Sequence, residues 1–195
     1  SEVGIGFLFS PLYNNVKKTL SDDRQKSLAS SDLFKLLSSI TNPTCAPFQI
    51  IGIHTGVYTE TLAKVLGRLG TKRALVVHGM DGLDEISTTR VTRIAELWED
   101  KSVRASLIEP EQFGLPRTNL ASLIGGDVTT NTDIAHSILN GERGSHRDIV
   151  VLNAGAALYI SGFVINIKTG VEMACKAIDS GKAREKLNML VQCSK

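Results

Sequence analysis

Aromatic side chains are scarce in this chain: they make up 5% of 195 residues, with a single tryptophan. Proteins that follow nucleic-acid strands stack bases on such rings and cluster basic side chains between them. Here 22 Lys and Arg face 20 Asp and Glu, the basic residues are scattered, and the net charge is only +2. No nucleic-acid partner is expected. Cysteine is equally thin. Cys45, Cys175 and Cys193 are odd in number and far apart, so they form neither a disulfide framework nor a CxxC metal pair. A reducing compartment follows, the cytoplasm in the simplest case, with a plastid open for a plant or algal source. No apolar run approaches the roughly 18 residues of a membrane span, and no charged-then-apolar leader opens the chain, so no membrane partner is expected. The first residue is Ser1, and the neighbours EVGIGFLFSPLY read like the middle of a fold. The chain is expected to be a piece of something longer.

What is present is an ordinary globular mixture, 42% hydrophobic and 22% charged, long enough to hide about 70% of its unfolded surface. Residues 3–9 read as a short buried strand and 33–40 as a short apolar helix stopped by Asn42-Pro43. The β-branched run QIIGIH at 49–54 predicts a strand. Leu62, Val65, Leu66 and Leu69 then share one side of a helix over 60–69 that ends at Gly70. Residues 74–77 follow as a fully buried strand. Strand, helix and strand within about 30 residues are the signature of a parallel βαβ unit. Beyond residue 90 the alternation of Val91, Arg93, Ala95 and Leu97, a turn at 99–101 and a return over 103–108 predict an antiparallel hairpin with one wet face. Helices are expected over 129–140, 148–162, 170–178 and 182–191. The small residues of NAGAALY at 153–159 would let another backbone pack close. The fold class is thus α/β: part of a mainly parallel sheet flanked by helices, with an antiparallel hairpin and a helical C-terminal end. Residues 1–195 are read as a single partial domain.

The stretch with most chemical content is VVHGMDGLDEISTTR, residues 76–90. An apolar strand empties into Asp81, Asp84 and Glu85, threaded through Gly79 and Gly82. Loops leaving the carboxyl ends of parallel strands are where α/β proteins place ligands. Asp84 and Glu85 are adjacent, so a helix or strand would splay them, whereas an irregular loop lets both meet one cation. Hard carboxylates without His or Cys suit Mg²⁺. Asp and Gly also make turns for their own reasons, and Asp84 could cap a helix, so both readings stay open from the residues alone. His78 reads as a packed strand-end residue. The GGD at 125–127 lacks a preceding strand and a following GK[ST], so it reads as a turn before a helix.

VVHGMDGLDEIS also resembles the signature VVHG-x-DGLDE-[IV]-S of anthranilate phosphoribosyltransferases. GIGFLFSPLY, ITNP at 40–43, FGLPR at 113–117, GGD with Asn131, NAGAALYISG and AIDSGKA have counterparts in the same order across nearly the whole chain. The resemblance implies a nucleoside phosphorylase/phosphoribosyltransferase-like fold. It also implies a small helical domain, absent here, through which the family usually forms homodimers. It implies Mg²⁺ as cofactor, with Asp84 and Glu85 as metal ligands. The implied reaction moves phosphoribose from phosphoribosyl pyrophosphate to the amine of anthranilate. Arg24 is the match for an arginine that contacts anthranilate, and the alignment there needs a one-residue insertion. No catalytic acid or base is implied.

This chain departs from the pattern where the family reads FNLLGPLTNP and it reads FKLLSSITNP, with Lys35, Ser38 and Ser39 in place of Asn, Gly and Pro. Arg90-Val91 stands where the family often has Gly-Pro. The family's Gly-Thr-Gly-Gly-Asp phosphate loop and a later glycine-rich loop have no counterpart in these residues. Low activity of the chain alone is therefore expected. The competing readings are a non-catalytic remnant or regulatory fragment and, on fold, a pyrimidine nucleoside phosphorylase relative.

Overall fold

The computed structural model describes residues 3–6, 36, 40, 41 and 44–194. Four strands form one sheet in the order β1-β2-β3-β4: β1 (Phe48–Gly52), β2 (Arg73–Gly79), β3 (Thr92–Leu97) and β4 (Val103–Ile108). β1 and β2 pair in parallel, with Ile50 opposite Leu75 and Gly52 opposite Val77. β2–β3 and β3–β4 are antiparallel. The α/β class, the hairpin and the helical end stand as expected. Among the described strands β1–β2 is the parallel pair, and the hairpin adds the two antiparallel ones.

The middle of β2 decides the layering. Ala74, Leu75, Val76 and Val77 are all at most 1% exposed, and successive side chains of a strand point to opposite faces. Leu75 and Val77 join Ile86, Ile94, Val151, Leu152 and Ala156 in one core. Ala74 and Val76 join Ile51, Leu62, Ala63 and Leu66 in another. The sheet is therefore covered on both sides. One cover is α1 (Thr59–Arg68), which buries Thr59, Leu62, Ala63 and Leu66, a spacing of three, four and seven residues. It closes with Gly70 at φ 96°, where Gly70 N–H donates to the Gly67 carbonyl and Thr71 N–H to that of Leu66; this left-handed cap is why the helix stops at a glycine.

On the other side lie α2 (Val128–Leu139), α3 (Ser145–Ile160), α4 (Ile167–Asp179) and α5 (Lys182–Cys193), with α3 against the sheet and the others packed around it. α3 and α4 both begin three residues earlier than the apolar pattern suggests. At α3 the reason is Arg147, 2% exposed. Its guanidinium reaches the Gly141 carbonyl at 2.7 Å and the Asp179 carboxylate at 2.7 Å, so a charged residue belongs to the packed face. At α4 the Asn166 side chain accepts from Thr169 N–H at 2.8 Å and sets the start. The small residues of α3 do admit a second backbone, since Gly155 and Gly170 touch through main-chain atoms.

Two further expectations change. Residues 3–6 form a bend and extended coil, not a strand, while residues 7–9 lie outside the described residues. The hairpin does not carry a wet face along both strands. β3 buries side chains on each face, and exposure falls on residues 104–107 of β4, the edge strand. Leu36 and Ile40 are helical, in agreement with a helix over 33–40. Among the described residues no helix is long and apolar enough to cross a membrane, and Cys45, Cys175 and Cys193 are free thiols.

Candidate functional site: a carboxylate loop over the parallel pair

Residues 80–91 join β2 to β3 without helix or strand. They fold back on themselves at the carboxyl end of β2. Gly79 N–H donates to the Leu83 carbonyl at 2.8 Å and Gly82 N–H to the Gly79 carbonyl at 2.9 Å. Gly82 takes φ 96°, a left-handed turn that a side chain resists. The first of the three acids, Asp81, turns inward. One carboxylate oxygen accepts from Leu83 N–H at 3.1 Å, and the other accepts from the hydroxyls of Ser87 and Thr89. Both hydroxyl residues are buried, at 1% and 8% exposure. Burial alone would raise the Asp81 pKa. The hydrogen bonds from Ser87, Thr89 and Leu83 outweigh it and hold the carboxyl below the usual aspartate value.

That network stabilises the ionised form, and its sign can be tested. Folding lowers this pKa, so the stabilisation is complete above the ordinary aspartate value of about 3.9 and disappears as pH falls through the lower folded value. Asp81→Asn should cost about 1–3 kcal/mol near neutral pH, because two buried hydroxyls lose their acceptor. It should also flatten the loss of stability between about pH 4 and the folded pKa. Urea midpoints measured from about pH 7 to about pH 2.5 check both effects. A variant curve parallel to that of the unsubstituted chain would contradict this role.

The second and third acids face outward. Asp84 and Glu85 are both exposed, and Asp84 caps no helix, which leaves the plain capping reading without support. The Asp84 main chain rests on the last residue of β1: a Cβ built on Gly52 would lie 1.5 Å from the Asp84 carbonyl oxygen. Ile86, directly after Glu85, is 1% exposed and sits in the sheet–α3 core. The Glu85 pKa is raised, first by partial burial of its carboxyl, then by the charge of Asp84 and a hydrogen bond with it. Like charge beside like charge opposes ionisation, and a cation held by both groups would relieve it. Beside them Leu83, Glu85, Leu123, His146, Ile149, Val150 and Asn153 line an open cleft of about 300 Å³.

The other sequence candidates resolve plainly. His78 Nδ1 lies 2.9 Å from the Ile53 carbonyl and its ring packs on Gly56, so it is a strand-end residue holding the β1 exit. In GGD, Asp127 caps α2 by accepting from Thr130 N–H at 2.8 Å. Asn131 bonds both the N–H and the carbonyl of Gly126 at 2.9 Å. Arg24 lies outside the described residues. Among the described residues no three His, Cys, Asp or Glu side chains converge. Sequence reasoning missed the inward role of Asp81; its available signal was a pair of hydroxyl residues six and eight positions later.

The sequence profile described as "Glycosyl transferase family, a/b domain" matches residues 1–184. The chain belongs to this glycosyl transferase family. Family relatives include the anthranilate phosphoribosyltransferase of Thermoanaerobacter sp. (strain X514), 44% identical over 191 residues, which are 98% of this chain and 56% of the relative. The enzyme of that name from Thioalkalivibrio sulfidiphilus is 44% identical over 190 residues, 97% of this chain and 56% of the relative. The crystal structure of anthranilate phosphoribosyltransferase from Thermus thermophilus superposes with a TM-score of 0.85 at 33% identity, covering 98% of this chain and 56% of that one. The Saccharomyces cerevisiae enzyme shares the fold at a TM-score of 0.72 and 22% identity, over 84% of this chain and 47% of that one. This member of the glycosyl transferase family thus spans about half the length of the relatives it matches.

Proposed function

We propose that this chain is the second half of the catalytic α/β domain of an anthranilate phosphoribosyltransferase, acting with Mg²⁺ on phosphoribosyl pyrophosphate and anthranilate. The observation that carries the reading is the loop itself. It turns Asp81 inward as a fastening and presents Asp84 and Glu85 together, above the carboxyl ends of a parallel pair. The family resemblance agrees, as does the Saccharomyces cerevisiae relative, whose structure was solved in complex with PRPP and Mg.

The donor set fits a hard divalent cation: two neighbouring carboxylates, no imidazole or thiolate, and a Glu85 whose ionisation its neighbour opposes. When bound, Mg²⁺ would neutralise charge on the departing diphosphate. Displacement at an anomeric carbon needs the two reactants held in line more than it needs a base. The share of this chain is accordingly placement: Asp84 and Glu85 hold the cation, and the loop fastenings fix both carboxylates. Arg24, on resemblance alone, is assigned to the anthranilate carboxylate, where a planar guanidinium can pair with both oxygens. The amides that cradle the diphosphate in the family lie in the half not contained here, so we propose little turnover by the chain alone. The family's dimer contact lies in that half as well.

The test is a chimera that joins the front portion of the Thermoanaerobacter relative to this chain, assayed by the loss of anthranilate fluorescence. Turnover should require both Mg²⁺ and phosphoribosyl pyrophosphate. The double substitution Asp84→Asn with Glu85→Gln should lower kcat/KM at least about a hundredfold, the effect of roughly 3 kcal/mol of lost transition-state stabilisation. A folded, dimeric chimera without turnover would favour a non-catalytic remnant. An active chimera indifferent to the double substitution would remove the metal role.

A further inference from the structure

Resting on that reading of Asp84 and Glu85, we infer that Asn153 of α3 is a positioning residue for the metal loop. Its side-chain amide faces the peptide groups of Ile86 as a strand neighbour would. The Asn153 Oδ1 accepts from Ile86 N–H at 2.9 Å, and Nδ2 donates to the Ile86 carbonyl at 2.9 Å. The second N–H of the same amide donates to the Ile149 carbonyl, one helical turn back, at 2.9 Å. Both donors and the acceptor are thus occupied, and the amide has one orientation that satisfies all three contacts. The reversed orientation would set oxygen against oxygen and N–H against N–H.

The chemistry asks for this residue type. A carboxylate cannot donate, a lysine cannot accept, and an aliphatic side chain leaves the Ile86 peptide groups without partners beside the core. The placement gives the contact its consequence. Ile86 follows Glu85 directly, and its N–H belongs to the peptide plane that carries the Glu85 carbonyl. Asp84 is fixed on the other side by the seat on Gly52. Between those two points the chain has little freedom, so the backbone that carries both carboxylates is held in place. Residues that orient metal ligands from behind typically change metal affinity by about 10- to 100-fold when removed.

The experiment uses Mn²⁺ alone, titrated into the 195-residue chain while paramagnetic broadening of backbone amide signals is followed by NMR. The unsubstituted chain should show broadening centred on residues 83–86. Asn153→Ala should weaken the apparent affinity about tenfold. Asn153→Ser, which keeps a donor for the Ile149 carbonyl but cannot span to Ile86, should do the same and serves where the alanine variant does not fold. Leu66→Ala, a buried truncation on α1 in the core cluster that does not contain Ile86, provides a destabilised control whose Mn²⁺ affinity should not move. Equal affinity in the Asn153 variants and the unsubstituted chain would overturn the positioning role, leaving Asn153 as packing only. Absence of broadening in the unsubstituted chain would overturn the metal reading and this inference with it. Loss of broadening on Asp84→Asn but not on Asn153→Ala sinks the inference alone.

Discussion

Alanine at position 52 should unseat the carboxylate loop and cost about 3 kcal/mol of stability, the upper end of the usual penalty for overfilled sites. Gly52 is a strand residue without a left-handed backbone, so alanine's own conformational preference is not the problem. The problem is space. The new methyl would meet the Asp84 carbonyl oxygen at 1.5 Å and its carbonyl carbon at 2.6 Å. A side chain in that position could rotate away; a peptide group tied to its neighbours cannot. Either the exit of β1 or the loop must shift, and the loop is the less buried of the two. A fall of about 6–12 °C in Tm is expected for a chain of this size, together with weaker Mn²⁺ broadening around residues 83–86. A variant that keeps both its Tm and its Mn²⁺ affinity would show that the close seat is not required.

Gly170→Ala should do comparable damage through a different contact. In isolation alanine favours a helix over glycine by about 1 kcal/mol, so an unpacked site would gain stability. Here the added Cβ would lie 2.3 Å from the Gly155 carbonyl oxygen and 2.9 Å from the Gly155 Cα. From the other side, a Cβ on Gly155 would meet Val171 N at 2.5 Å. α3 and α4 therefore touch main chain to main chain, and neither surface has a flexible end to move. Separation of the helices would open the core around Leu152, Ala156, Val171 and Ala174. A net loss of up to about 2 kcal/mol is expected once the propensity gain is subtracted, read as a urea midpoint shift with Mn²⁺ binding retained. A more stable variant would mean that propensity wins and that the crossing can relax.

Much of this is legible in the amino-acid sequence. The solid apolar run at 74–77 announced a strand covered on both faces, and the glycines and alanines of NAGAALY announced a close helix crossing. The GGD turn and the packed His78 also read correctly from their surroundings. The residues that escaped depend on partners far away or without a period. Asp81, Asp84 and Glu85 are alike in sequence; only the reach of Ser87 and Thr89 back to Asp81 separates the fastening from the displayed pair. Asn153 lies 67 positions from its partner Ile86, and no local pattern joins them. The early starts of α3 and α4 follow from a buried Arg147 and a cap at Asn166, features that an apolar count passes over. Residues 3–6 read VGIG, and Gly4 at φ 77° turns the chain out of strand geometry.

The inward turn of Asp81 divides the labour of the loop. Its carboxylate spends its acceptor capacity on Leu83 N–H and the Ser87 and Thr89 hydroxyls, whereas Asp84 and Glu85 keep theirs open to solvent. Those bonds hold Asp81 in its charged form without cancelling the charge, which still adds to the field opposing ionisation of Glu85.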